Sequence, residues 1–372
     1  MSERNGKRVL WVTNAFGVGG AERQMLYMYH ILQEYSDLNI SIIYYAKLGT
    51  ELPLDGVDCY YIDKKTVGRI ATILKIRRYI KKNHIQIVHA LGGCSANIYG
   101  RAGAIGTRAI PVGEMLGKKH FVSIGNKIVN SALNLFGNWW AVNNKELIPI
   151  LKRDLRFIDD SRIRMLHNGF VPAERIDYRK GESTEYDRAR ANCFVFCAVG
   201  RLQPVKNYPL FIEAAARITA QYENVRCWII GDGDEYENLK QLVEQKGLQD
   251  KVLLWGYRSD IDVALSRCDV FVQTSKTEGS PNTIAEAMRA EKPVISTRST
   301  DLSEMITPGK NGEIVGNDAE ELAQAMVKLI HTSEEERKEM GQYSYQLFMR
   351  YFQDQTVARE FTEFYDDLLS GR

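Results

Sequence analysis

Three glycine-punctuated stretches of this 372-residue chain carry the residues best suited to chemistry. The densest is Glu278-Gly279-Ser280-Pro281-Asn282-Thr283-Ile284-Ala285-Glu286-Ala287. Ser280 suits a helix cap and Pro281 the first helical position, so the turn should present backbone N–H groups to a phosphate. A carboxylate repels phosphate but accepts hydrogen bonds from sugar hydroxyls. From Pro281 to Glu286 the helix advances about 7.5 Å, far enough to step from a phosphate to the next moiety. Glutamates on both sides of a phosphate-binding turn therefore suit a ligand built as sugar, diphosphate and ribose. Two exposed glutamates flanking a helix start would leave the same trace, because the helix dipole favours them there. Gly279 and Pro281 between them, placed after a strand, weigh against that.

A second stretch, Gly200-Arg201-Leu202-Gln203-Pro204-Val205-Lys206-Asn207, follows the β-rich run 194–199. Arg201 offers a planar fork of donors and Lys206 a point charge, a pair able to neutralise a diphosphate. Alone, they read equally well as solvated loop cations. The third stretch is Thr13-Asn14-Ala15-Phe16-Gly17-Val18-Gly19-Gly20-Ala21-Glu22. Gly17, Gly19 and Gly20 let the backbone approach an anion at the start of the next helix, and a tight turn without ligand explains them as well. A nicotinamide-dinucleotide fingerprint needs a third glycine where Glu22 stands and an acidic residue after the second strand, where the sequence has Tyr45-Ala46. That disfavours a nicotinamide-dependent oxidoreductase.

Such turns need strands and helices to aim them. Strands are predicted near 8–13, 40–45, 59–62, 85–89, 110–112, 139–142 and 163–166, then near 194–199, 225–230, 252–254, 270–273, 293–296 and 313–315. Helical patterns such as 22–34 and 70–82 fill most gaps, and this alternation means βαβ units and parallel sheets. Two runs of it predict an α/β protein of two Rossmann-like doubly wound domains, 1–175 and 190–352, facing one another across a cleft. The polar stretch 172–192 reads as their connection, and 353–369 as a final amphipathic helix.

Composition narrows the field. Lys and Arg number 49 against 47 Asp and Glu, a net charge of +2 that excludes a uniformly basic nucleic-acid coat and an acidic disordered chain. The balance conceals a split: residues 1–175 carry 25 basic and 14 acidic residues, +11, and the rest sum to −9. The six cysteines form no C-x-x-C pair, so no zinc site is expected, and scattered thiols suit a reducing cytoplasm. The apolar run after the polar N-terminus is too short for a signal peptide, and no stretch is long enough to span a membrane.

Together these motifs resemble the retaining glycosyltransferases of family four, which have the GT-B fold, and the resemblance covers nearly the whole chain. Glu278…Glu286 is similar to that family's E-x7-E motif, Gly19-Gly20-Ala21-Glu22 to its G-G-A-E turn, and Gly200-Arg201 with Lys206 to its G-R-x-x-x-x-K clamp. Ile230-Gly231-Asp232-Gly233 resembles its G-x-G strand end, and Asn168-Gly169 the N-G before the linker. The resemblance implies that Glu286 holds the ribose, Glu278 the donor sugar, and Arg201 and Lys206 the diphosphate, with catalytic weight on Glu278, Arg201 and Lys206. It implies backbone contacts from Ser280, Pro281 and Asn282, and further donor contacts from Gly19, Gly20, Gly200, Gly231, Tyr257, Arg258, Gly279 and Thr283. The implied donor is a nucleotide sugar, with UDP ahead of GDP or ADP, and no metal or other cofactor. The last helix, 353–372, is implied to pack back on the first domain. One departure stands out. Where the family often has histidine after Gly113-Glu114, this chain has Met115, and Asn143-Asn144 replaces a usual N-S. His89 and His120 lie nearby, His89 reading best as a structural residue.

The implied acceptor is a glycan or lipid-linked saccharide in cell-surface polysaccharide or glycoconjugate synthesis. Basic and apolar residues interleave at 66–84, and again at 118–140 with Lys118, Lys119, Lys127, Phe121, Leu133, Leu135, Phe136, Trp139 and Trp140. Both stretches could lie on an anionic membrane, making a cytoplasmic protein peripheral at its inner face; ordinary helices packed on a sheet fit too. A sugar-nucleotide epimerase of the same fold and a non-catalytic donor-binding module remain as alternatives.

Overall fold

The structure, a computed structural model, describes residues 6–17, 20–49, 52–118, 120, 121, 123–176 and 185–371. Two units emerge: Met1–Gly169 with Asp354–Arg372, and Phe170–Gln353.

In the first unit the elements are β1 (Arg8–Thr13), α1 (Gly20–Tyr35), β2 (Asn39–Tyr44), β3 (Cys59–Tyr61), α2 (Lys64–Val67), α3 (Arg69–Lys82), β4 (Ile87–Ala90), α4 (Cys94–Ala104), β5 (Ile110–Met115), α5 (Ile124–Leu133), β6 (Trp139–Val142), α6 (Leu147–Asp154) and β7 (Ile163–Met165). The strands form one parallel sheet in the order β3-β2-β1-β4-β5-β6-β7. Helices cover both faces, so the central strands are apolar at successive positions rather than alternating. Val9 and Trp11 belong to one core, Leu10 and Val12 to another.

The second unit contains α7 (Glu185–Arg190), β8 (Phe194–Val199), α8 (Tyr208–Thr219), β9 (Val225–Ile230), α9 (Tyr236–Gln245), β10 (Val252–Leu254), α10 (Ile261–Arg267), β11 (Val270–Gln273), α11 (Asn282–Arg289), β12 (Val294–Thr297), β13 (Gly312–Val315), α12 (Ala319–His331) and α13 (Glu334–Tyr351). Its parallel sheet runs β10-β9-β8-β11-β12-β13, again between two apolar layers.

The first unit ends at Gly169, before the polar stretch, and the reason is Phe170. Its side chain is buried with Phe348 and Phe352, and its N–H donates to the Phe352 carbonyl at 3.0 Å. The closing helix α14 (Asp354–Ser370) belongs to the first unit. Val357, Phe361, Phe364, Tyr365 and Leu368 recur at helical spacing and enter the core that holds Trp11, Leu26 and Tyr29. Trp11 Nε1 donates to Tyr365 Oη at 3.0 Å, and Tyr365 Oη meets His89 Nδ1 at 2.8 Å. Acidic residues of α14 reach Lys7 and Arg164, each at 2.5 Å. With α14 included, the first unit has 26 basic and 18 acidic residues, +8, and the second is −6.

Within 118–140 the fold divides the apolar residues between core and surface. Phe121 packs edge-on to Trp140 at 5.8 Å, and both are buried, as is Leu133. Trp140 is held by its strand, by the Arg101 guanidinium over its ring and by its Nε1 bond to Asn134. Leu135 and Phe136 are exposed. In α3, Ile76 and Ile80 are buried while Ile70 and Leu74 are exposed.

Candidate active site

In the second sheet the chain moves outward in one direction through β8, β9 and β10 and in the other through β11, β12 and β13. The reversal between β8 and β11 is the topological switch point, where ligands of such sheets bind beyond the strand ends. The loops leaving these two paired strands are tied together there. The Lys276 N–H donates to the Val205 carbonyl at 2.8 Å, and Thr274 Oγ1 to the Lys206 carbonyl at 2.9 Å. Across this junction Lys206 Nζ lies 2.7 Å from Glu278 Oε1, both side chains largely but not wholly covered. Glu278 is fixed in turn, its N–H donating to the Ser299 carbonyl at 3.2 Å. Burial, then the Cys197 and Glu278 charges, push the nearby Tyr208 phenol up, so it stays protonated. Arg201 is exposed, and its guanidinium makes no hydrogen bond or ion pair among the described residues.

Two glycines make the approach of these loops possible. Gly231, at φ +148°, passes so close to Gly200 that a Cβ on it would lie 1.9 Å from the Gly200 carbonyl oxygen. Gly200 is itself at φ +152°, and a Cβ there would lie 2.9 Å from Tyr208 Oη. Both conformations are costly for any residue with a side chain.

The turn into α11 differs from the predicted one. Pro281, with ψ 84°, is the cap itself and Asn282 is the first helical residue. Ser280 makes no side-chain capping bond; its carbonyl accepts from the Asn282 N–H at 3.0 Å. Pro281 itself lies outside the helical region, so the helix starts one residue on. Gly279 precedes this turn, and its carbonyl accepts a long bond from Thr300 Oγ1 at 3.4 Å. Thr283 Oγ1 reaches Gln273 Oε1 at 3.4 Å, back on β11. Glu286 sits half-buried on α11.

Tyr257 is exposed after β10. Arg258 beside it is committed to a structural network: Nε and Nη2 each bond Asp260 at 3.0 Å, Nη1 bonds Glu185 at 3.0 Å, and the guanidinium lies over Tyr186 and Trp255. Those bonds, with Asp260 first, hold its ionisation above the ordinary range. It is not bonded to the Lys206–Glu278 group.

The first sheet has its own switch point, between β1 and β4. Gly20 opens α1 there, and Gly19 lies outside the described residues. Glu114, at the end of β5, went unnoticed in the sequence as a chemical group. Its Oε2 accepts from the Gly92 N–H at 3.0 Å, and burial pushes its carboxyl up to about 8 against the pull of that bond. Asn97 clamps the Glu114 backbone at both N–H and carbonyl, at 2.9 and 2.8 Å, and its Nδ2 meets His120 Nε2 at 2.9 Å. An amide nitrogen donates only, so that imidazole nitrogen accepts and the ring is neutral. Burial holds His120 near 4 and His89 near 3. Met115 is buried among Trp140, Val142 and Leu147. The missed signal was a lone acid and a histidine six residues on, in a segment otherwise apolar or basic. Among the described residues no cluster of three or more His, Cys, Asp or Glu could hold a metal, and no helix is long and apolar enough to cross a membrane.

Residues 185–347 match the family model for glycosyl transferases group 1. The chain is 34% identical over 155 residues to a lipopolysaccharide core biosynthesis glycosyltransferase, LpsE, of Rhizobium meliloti, covering 40% of this chain and 44% of that protein. It is 26% identical over 338 residues to the UDP-Gal:alpha-D-GlcNAc-diphosphoundecaprenol alpha-1,3-galactosyltransferase of Escherichia coli, 84% of this chain and 85% of that one. It spans 28% to 52% of the length of three curated relatives, the Rhizobium protein among them. In three dimensions it resembles Anabaena Alr3699/HepE, solved in complex with UDP, with TM-score 0.82 and 20% identity over 98% of this chain and 100% of that one. That likeness gives the fold: two parallel-sheet α/β domains, as in the GT-B glycosyltransferases. The family match lies wholly within the second unit.

Proposed function

We propose that this protein is a retaining hexosyltransferase that moves a sugar from a nucleotide diphosphate sugar, a UDP-sugar, to a saccharide or lipid-linked acceptor in cell-surface polysaccharide or lipopolysaccharide synthesis. The observation that carries this reading is the Lys206–Glu278 pair at the switch point of the second sheet, beside the unengaged Arg201.

When the anomeric bond breaks, negative charge grows on the departing diphosphate. Lys206 has three N–H donors, so it can keep Glu278 and still bind a phosphate oxygen. Arg201, exposed and unpaired among the described residues, supplies a second cation. Preorganised charge of this kind is the largest single contribution available to such a step, and it takes the place of a metal ion. Glu278 is an acceptor for hydroxyls of the donor sugar, and Glu286 for those of the ribose. Gly200 and Gly231 let the backbone of both loops approach the diphosphate, with Ser280, Pro281, Asn282 and Thr283 beside it. The protein would work in the cytoplasm, peripheral to the inner face of the membrane. The printed activity of the Escherichia coli relative and the UDP held by the structural neighbour support the donor class.

A panel of nucleotide sugars scored by thermal shift, followed by nucleotide release with and without acceptor, tests the reading. Lys206→Ala and Arg201→Ala should each lower transfer on the order of 10²–10³-fold with the fold intact by circular dichroism; near-normal turnover in either sinks it. An isomerised donor formed without acceptor would make the protein an epimerase instead.

A further inference from the structure

Strand β11 ends on a residue that its surroundings do not favour. Val270, Phe271 and Val272 are apolar and wholly buried, and Gln273 after them is buried as well. An amide taken out of water needs good hydrogen bonds to offset its desolvation. Among the described residues the Gln273 side chain makes two, both long. Its Nε2 donates to Ser299 Oγ and its Oε1 accepts from Thr283 Oγ1, each at 3.4 Å. Bonds of that length offset little, so an apolar side chain of similar size would serve the core as well or better. The next buried hydroxyl, Ser275 Oγ, has no partner among the described residues. This strand end therefore carries polar groups that stability alone would not select. What the Gln273 amide gains is a position. Ser299 lies in the turn after β12, and its carbonyl accepts from the Glu278 N–H at 3.2 Å. Thr283 lies in the first turn of α11. A single side chain thus spans both ends of 278–283, directly at Thr283 and, through Ser299, at Glu278.

We propose that Gln273 is a positioning residue for the donor-sugar carboxylate: it sets the spacing between α11 and the turn after β12, and through that the place of Glu278 beside Lys206. This deepens the transferase reading and rests on it. Lys206 is anchored independently, its carbonyl accepting from Thr274 Oγ1 at 2.9 Å. The place of the cation therefore depends on the pairing of β8 with β11, and that of the carboxylate depends on Gln273 as well. Loss of the amide leaves Lys206 and Arg201 able to bind a diphosphate and loosens the hold on the sugar. Turnover is sensitive to such shifts, a misplacement of about 1 Å costing up to about 10²-fold.

Gln273→Leu and Ser299→Ala break the bridge from its two sides in the full chain. Gln273→Leu should keep or raise the melting temperature, and amide hydrogen exchange over 276–288, read by mass spectrometry, should quicken in both variants. Turnover in nucleotide release from UDP-glucose should fall about tenfold or more in each, while UDP, titrated by calorimetry, binds within about threefold of the parent. The double variant should lose no more than the worse single one, because the same bridge is broken once. Ser299→Ala carries the same test if the leucine variant does not fold. Parent-like exchange or parent-like turnover in Gln273→Leu would overturn the proposal. So would a loss of UDP binding that follows a fall in melting temperature in both variants, the mark of a merely structural residue. A parent that neither binds UDP nor turns over UDP-glucose counts against the transferase reading instead, and the exchange measurement, which needs no substrate, separates the two.

Discussion

The carboxyl edges of the two sheets share one architecture and handle charge in opposite ways. At the second edge the charged groups are left accessible: Arg201 stands in solvent, and Lys206 and Glu278 meet at 2.7 Å with both side chains partly exposed. At the first edge the titratable groups are sealed. Glu114 is held near 8 and His89 near 3, both by burial, so each is kept in its neutral form across the acid-to-neutral range. A doubly wound sheet thus decides where a ligand can approach, while solvation decides whether groups there act as charges or as fixed, neutral donors and acceptors.

The comparison breaks first at Lys206. Removing a preorganised cation from a developing oxyanion costs on the order of 10²–10³-fold in turnover. Lys206→Ala should lose that much, and Arg201→Ala a similar amount, in a nucleotide-release assay. If Glu114→Gln did the same with unchanged stability, the two edges would not differ as described.

Arg258 sharpens the boundary of the second edge. Its bonds to Asp260 and Glu185 and its stacking on Tyr186 are structural. Arg258→Ala should lower unfolding free energy by about 1 kcal/mol, since its partners keep access to water. Donor binding, measured by titration calorimetry, should persist; loss of binding without loss of stability would return Arg258 to the donor site.

The first edge makes a prediction about pH. Glu114 binds its proton more tightly folded than unfolded, so its contribution is whole below the ordinary carboxylate value and declines as pH rises towards about 8. His89 is the reverse: its contribution is present above the ordinary imidazole value and is lost as pH falls towards about 3. Denaturant melts across pH should show Glu114→Gln flattening the decline between the ordinary carboxylate value and about 8 and leaving the loss at lower pH in place. The smallest effect is expected at the surface pair Lys152–Asp160, 2.7 Å apart and open to solvent. Asp160→Asn should cost no more than about 1 kcal/mol in the same melts, less in high salt.

Much of the second edge was legible because its chemistry depends on glycine, proline and charge, which leave local traces. Gly200, Arg201, Lys206 and Glu278 could be placed at strand ends from the alternation of elements alone. The Lys206–Glu278 contact spans 72 residues and needed the pairing of β8 with β11 to be seen. The start of α11 was misplaced by one residue because Pro281 takes a non-helical ψ, which its residue type does not announce. At the first edge, Glu114 and His120 looked ordinary because their behaviour comes from burial, a tertiary property.

The meeting of Phe170 with Gln353 has a bearing on how the protein can be taken apart. The two residues form a parallel bridge, and the N–H of Phe170 bonds the neighbouring Phe352 carbonyl at 3.0 Å. The second unit therefore begins and ends at one place, as an inserted cassette does, with its host sequence resuming at Asp354. Such a segment can be excised at a single point, and its two ends need only a short bridge to be joined and reopened elsewhere. Residues 170–353 are thus a natural module for exchange between relatives, carrying the charged edge with them and leaving α14 behind to complete the host.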